Sequence, residues 1–117
     1  MSFNPKYTVV SIGEIADGSP VAIASIAIPS AVYNGLKTVT TGGTAEALAS
    51  TQALESGVQI KAESDNTGIV YVGGASVSAA TGYYLLAGET VFLSVDDLAT
   101  VYLDVSVNGD GATFLAS

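Results

Sequence analysis

Val101-Tyr102-Leu103-Asp104-Val105-Ser106-Val107-Asn108 is the stretch that decides the fold. Apolar residues stand at 101, 103, 105 and 107, with Tyr102, Asp104, Ser106 and Asn108 between them. Successive side chains of a strand point to opposite faces, so this period of two describes one dry face and one wet face. The turn Asn108-Gly109-Asp110-Gly111 closes it, and Ala112 to Leu115 reads as a last strand.

The same grammar continues upstream. Val91, Leu93 and Val95 alternate with Phe92 and Ser94 before the turn Asp96-Asp97. Tyr83 to Leu86 runs into Ala87-Gly88-Glu89, and Ile69 to Val72 lies between Asp65-Asn66-Thr67-Gly68 and Gly73-Gly74. Val58, Ile60 and Ala62 alternate with Gln59, Lys61 and Glu63, again a strand with one wet face. Thr44 to Glu55 is too short and poorly patterned for an amphipathic helix, so it reads as two small-residue strands joined at Ser50-Thr51. Asn34-Gly35, inside Ala31 to Thr40, predicts a tight hairpin. Tyr7 to Ile12 and Pro20 to Pro29 are the first two candidate strands. The second is flanked by prolines and changes phase near Ala24-Ser25, which suits an edge or an extended arm. About eight or nine short strands separated by regular turns predict an all-β fold, an antiparallel β-sandwich of jelly-roll-like kind with an N-terminal extended arm.

Composition excludes much chemistry. The 117 residues contain no cysteine, histidine or tryptophan, and the three basic residues are all lysines. Disulfides, thiolate nucleophiles, imidazole metal ligands and Ser-His-Asp triads are therefore unavailable. Eleven acids against three lysines give a net charge of −8. Six of those negative charges accumulate over residues 58–117, where Lys61 faces seven acids. Such a chain repels phosphate backbones and anionic lipid, so neither nucleic acid nor membrane is an expected partner. The longest apolar run, Val21 to Ile28, is far too short to span a bilayer, and the first ten residues lack the apolar core of a secretory signal. Yet 49% of the residues are hydrophobic and only 12% charged, apolar for so small a domain. The surplus predicts contacts with other chains, as in a homo-oligomer.

Three patterns invite a chemical reading. Asp104-x-Ser106-x-Asn108-Gly109 has the alternate oxygens and glycine that open a calcium loop, but Leu115 stands where the closing Glu belongs. A polar strand face entering a turn is the expected role, so no metal and no cofactor is assigned. Asp96-Asp97 beside Asp104 superficially resembles a glycosidase carboxylate pair. Adjacent strand residues face opposite ways, and turn-making hydrogen bonds are the expected role, so the chain is read as non-enzymatic, with no catalytic residues. Tyr83, Tyr84, Tyr71 and Tyr102 suit either a sugar-stacking platform or half-buried packing at a core or interface.

The C-terminal half also resembles a family. Its VxIKA strand at Val58–Ala62, Asn66-Thr67-Gly68 followed by Tyr71-Val72-Gly73, Gly88-Glu89, Asp96-Asp97-Leu98 and Val101-Tyr102-x-Asp104-x-Ser106-Val107-Asn108-Gly109-x-Gly111 resemble the pattern of small virion proteins of tailed bacteriophages. The likeness covers about residues 38–116 and contains no catalytic motif. It implies a β-sandwich structural component of the virion. The leading expectation is a capsid decoration or cement protein on the outer capsid surface, made in the host cytoplasm. It would bind the major capsid protein, or another virion protein, as a homotrimer. A neck, tail or fibre component and a host-facing carbohydrate-binding module are the alternatives. Residues 38–117 are then the sandwich core and 1–37 an arm or added strands. Within that arm Val21, Ile23, Ile26 and Ile28 are the expected contacts to neighbouring subunits or shell.

Overall fold

The computed structural model describes residues 28–117 and, before them, the backbone of two two-residue strands, β1 (Tyr7–Thr8) and β2 (Ala24–Ser25), which pair antiparallel. The rest of the expected arm, with Val21, Ile23 and Ile26, lies outside the described residues.

Eight further strands follow: β3 (Tyr33–Thr38), β4 (Glu46–Ala47), β5 (Val58–Ala62), β6 (Val70–Gly73), β7 (Tyr83–Leu85), β8 (Thr90–Leu93), β9 (Tyr102–Val105) and β10 (Gly111–Ala116). They form two four-stranded antiparallel sheets, ordered β3-β10-β5-β8 and β4-β9-β6-β7. The pairing is nested. β6 pairs β7, β5 pairs β8, β4 pairs β9 and β3 pairs β10, so the chain is one long hairpin folded across itself. The pairs β10·β5 and β9·β6 then close each sheet. Eight strands wound in this way are a jelly roll, as the alternation had predicted.

The core lies between the sheets. Val58, Ile60, Ala62, Ala112 and Ala116 come from one sheet, and Val70, Val72, Leu85, Leu103 and Val105 from the other. Val39, Leu48, Leu54, Leu98 and Val101 plug the ends from connecting segments. In β5 the inward and outward residues alternate without exception, as its sequence predicts. Removing a side chain the size of Ile60 from water contributes about 1.5–3 kcal/mol. One such position per strand is therefore enough to fix register, because a one-residue slip would turn it outward.

Three local expectations are corrected. Asn34-Gly35 is not a hairpin turn but the middle of β3, and neither residue has the positive φ that such a turn requires. Gly35 pairs with Phe114 of β10, and a Cβ there would stand 2.7 Å from two atoms of the Phe114 ring. The glycine makes room for an aromatic ring. Thr44 to Glu55 supplies only β4 and an isolated bridge between Ala53 and Asp97 in place of two full strands. Finally, β9 ends at Val105, so Val107 is exposed, while Asp104 on the supposedly wet face is only 2% exposed.

On one open side of the sandwich the edge strands β3 and β4 belong to different sheets. Lys37 of β3 reaches across to Glu46 of β4, Nζ to Oε1 at 2.9 Å. The other oxygen of Glu46 accepts from the backbone amide and hydroxyl of Thr40, both at 3.0 Å. The Lys37 contact, helped by the Thr40 and Thr41 donors, holds the Glu46 carboxyl down at about 2.

Candidate functional site

The two segments most prominent in the sequence pattern meet at one end of the jelly roll. The Asn66 side chain pairs with the backbone of Gly111 in both directions: its Nδ2 donates to the carbonyl at 2.8 Å, and its Oδ1 accepts from the amide at 3.1 Å. The Asp110 carboxylate, 7% exposed, accepts from the amides of Gly68 at 2.8 Å and Thr67 at 3.3 Å. Ser106 Oγ accepts from the Ile69 amide at 2.8 Å. Gly68 is pressed so close to Ser106 that a Cβ there would collide with its hydroxyl. The Asn66-Thr67-Gly68 and Ser106–Gly111 motifs are thus two halves of a polar clasp. Their side chains are engaged by backbone groups of the facing segment, most of them part-buried.

The calcium-like spacing dissolves for the same reason. Asp104 Oδ1 accepts from the amides of Gly43 and Val105, each at 2.8 Å. Asn108 Oδ1 accepts from the Gly42 amide at 2.7 Å, and Ser106 turns to Ile69. The three oxygens organise the 42–43 loop and the clasp instead of converging on one point. Above Asp104 lies a shallow hollow of about 550 Å³, bordered by Tyr71, Ser78, Ala80 and Asn108. Asp97 is the N-cap of a 3-10 turn, Leu98–Thr100, and accepts from the amides of Ala99 at 2.9 Å and Gln52 at 3.2 Å. It is a turn-maker, as its sequence context predicts. Among the described residues no set of three potential metal-ligating side chains gathers.

The tyrosines divide. Tyr71 and Tyr102 are partly covered on the outer face of the second sheet, whereas Tyr83 and Tyr84 of edge strand β7 are both largely exposed. Tyr83 and Tyr84 border a groove of about 630 Å³ with Gly82, Gly88, Glu89 and Thr90. Glu89 Oε1 is engaged there by the Leu86 amide at 2.8 Å.

The outer face of the first sheet mixes polar positions with three large apolar ones. Its outward positions are Asn34, Leu36 and Thr38 on β3, Thr113 and Leu115 on β10, Gln59 and Lys61 on β5, and Thr90 and Phe92 on β8. Register sets Asn34, Leu115, Gln59 and Phe92 in one row across all four strands, with Leu36, Thr113, Lys61 and Thr90 in the next. Leu36, Phe92 and Leu115 are 57%, 57% and 56% exposed.

No protein-family profile, curated protein or solved structure matches this chain. Of the four expected contact residues the structure places only Ile28, which is 61% exposed and precedes β3 along the chain. The sequence reading missed Leu36, Phe92 and Leu115 as a group. Leu36 was hidden by the hairpin reading of Asn34-Gly35, and Leu115 because the last strand, Ala112 to Leu115, was assigned no inward or outward phase. The signal available was parity: Ala112, Phe114 and Ala116 share the inward phase, which leaves Leu115 outside.

Proposed function

We propose that this chain is a non-enzymatic structural protein of a tailed-phage virion, a capsid decoration or cement protein that binds the assembled head shell as a trimer. The observation that carries the reading is that the phage-like pattern of residues 38–116 maps onto the framework of a jelly roll, an architecture common in viral capsid and lectin domains. Its motif residues build the clasp and strand register, which suits a scaffold. The acidic, His-free and Cys-free composition suits an outer surface that stays soluble and away from packaged nucleic acid. Uncovered apolar side chains supply contact area. A protein that binds only the assembled lattice draws the disassembly equilibrium toward the shell by mass action. The arm residues Val21, Ile23, Ile26 and Ile28 belong to the same proposal, as contacts to neighbouring subunits.

The test is co-sedimentation of the purified chain with shells that lack it and with unassembled shell subunits. Pelleting with shells alone is the expected result. A chain left in the supernatant, or one that pellets only with isolated necks or tails, overturns the head placement. Light scattering on a sizing column reads the oligomer, a trimer here against six or twelve copies for a neck or tail ring.

A carbohydrate-binding module is the second reading, favoured by one observation, the groove flanked by Tyr83, Tyr84 and Glu89. Specific hits on a glycan array that vanish in Tyr84→Ala would establish it in place of the first.

A further inference from the structure

The outer face of the second sheet carries an acid that the fold uses by only one of its oxygens. Register sets Asp104 of β9 beside Tyr71 of β6, and Tyr71 beside Tyr84 of β7, so the three share one row. Asp104 is 2% exposed, and both of its backbone partners, the amides of Gly43 and Val105, bond to Oδ1. Among the described residues no donor bonds to Oδ2. Every described side-chain oxygen or nitrogen that is shut off from solvent has a partner, so Oδ2 opens to the hollow of about 550 Å³ that Asp104 helps to line. Neither described lysine neutralises it. Lys37 is held by Glu46, and Lys61 stands on the outer face of the other sheet.

We propose that this hollow receives an arginine side chain from a protein partner, with Asp104 Oδ2 as its acceptor and the Tyr71 ring beside it. The proposal rests on the virion-binding reading above and names what the chain grips on its partner. Hydrogen-bond inventory separates a cation from a sugar. A sugar hydroxyl both gives and takes hydrogen bonds, whereas a guanidinium only gives. Backbone amides around the hollow are already engaged: Gly42 donates to Asn108, Gly43 and Val105 to Asp104, Ser78 to Thr81, and Ala80 to Ser78. What they leave is a carboxylate oxygen with no described cation, and the side-chain amide of exposed Asn108 at the rim. A buried charge is costly until it is paired, and a charge-assisted hydrogen bond is the strong way to pair it. An aromatic ring beside the carboxylate suits a planar guanidinium better than an ammonium. The net charge of −8 draws a basic partner in from a distance.

The volume falls within the roughly 300–1,000 Å³ usual for ligand sites. Its surroundings point to a chain and not to a free small cation. Beyond Tyr71 the row continues to Tyr84, 62% exposed and two strand spacings, about 10 Å, from Asp104. A free cation fills one end of the row and leaves that ring bare. A protein segment that carries the arginine covers both ends and takes the ring out of water. Arginine and tyrosine are also the residues on which protein contacts most often depend.

The experiment titrates the isotope-labelled full chain with acetyl-arginine amide, read by amide NMR shifts, beside acetyl-citrulline amide, which has nearly the same shape and no charge. The expected result is saturable shifts at Gly43, Val105 and Asn108, with a dissociation constant on the order of 1 mM for so small a probe. The citrulline probe should bind about tenfold more weakly or worse. Asp104→Asn keeps the Oδ1 acceptor and removes the charge, and should weaken the arginine probe by a similar factor. Because Asp104 also holds the 42–43 loop, Ala80→Lys is the second variant. Ala80 is exposed at the border of the hollow, and the new ammonium competes for Oδ2 without touching the loop. Thr113→Lys adds the same charge to the outer face of the first sheet and should leave the probe unaffected. Circular dichroism and thermal melts check that each variant is folded. Absence of saturable shifts at the hollow, equal binding of the citrulline probe, or wild-type binding by Ala80→Lys overturns the proposal. Shell binding is scored separately. A chain that takes the arginine probe in the hollow but never pellets with shells sinks the virion reading and leaves this site standing. Shell binding by a chain whose hollow ignores the probe does the reverse.

Discussion

Replacing Asp110 by Ala removes the carboxylate that accepts from the Gly68 and Thr67 amides, and tests whether the clasp holds the end of the jelly roll together. Hydrogen bonds to a charged acceptor contribute about 1.5–3 kcal/mol each. The Thr67 contact, at 3.3 Å, is long and counts least. Both amides are only part-buried, so water replaces some of what is lost. The net expectation is about 2–3 kcal/mol, a large share of the roughly 5–15 kcal/mol that holds a domain folded. For a domain of this size it lowers the melting midpoint by about 10 °C. Urea unfolding followed by circular dichroism and tyrosine fluorescence measures it, and the slope should stay constant while the midpoint falls. Asp65→Ala, an exposed neighbour in the same turn, should move stability by less than about 0.5 kcal/mol. Asn66→Ala should couple to Asp110→Ala in a double-mutant cycle, because both side chains grip the same junction. An Asp110→Ala protein within about 0.5 kcal/mol of wild type would refute the clasp as a source of stability.

Two further expectations follow from the edges of the sandwich. Because the Lys37 contact holds the Glu46 carboxyl at about 2, below its ordinary 4.5, the pair's stabilisation is complete above pH 4.5 and is lost as pH falls toward 2. At the surface screening reduces it to about 1 kcal/mol, so wild type and Glu46→Gln should differ by that amount at pH 6 and converge near pH 2, with a smaller gap in high salt. Gly35→Val should cost about 1–3 kcal/mol by displacing the Phe114 ring, and Phe114→Ala in the same chain should recover part of the loss; simple additivity in denaturant melts would disprove the contact.

What the sequence made legible was whatever depends on local period and turn chemistry. Val58–Ala62 and the turns around Asn66, Gly88 and Gly109 could be read because their side-chain alternation and glycines act over a few residues. Non-local causes were invisible. Asn34-Gly35 has the composition of a hairpin, and only the pairing of β3 with β10 shows that the glycine accommodates a ring from the far end of the chain. Asp104 looked like one member of a wet row until the 42–43 loop, folded over it, supplied donors and excluded water. The outward grouping of Leu36, Phe92 and Leu115 was hidden in the same way. Leu36, Phe92 and Leu115 come from three strands, and register alone makes them neighbours.

Nested pairing also orders events in time. The turn between β6 and β7 is the shortest loop to close, whereas β3 and β10 join opposite ends of the described chain and carry the largest entropic cost of closure. Leu36 and Leu115 lie on that last pair, and the two adjacent rows they belong to exist only after the outermost strands have zipped. A partly folded chain therefore lacks the ordered outward rows of the first sheet.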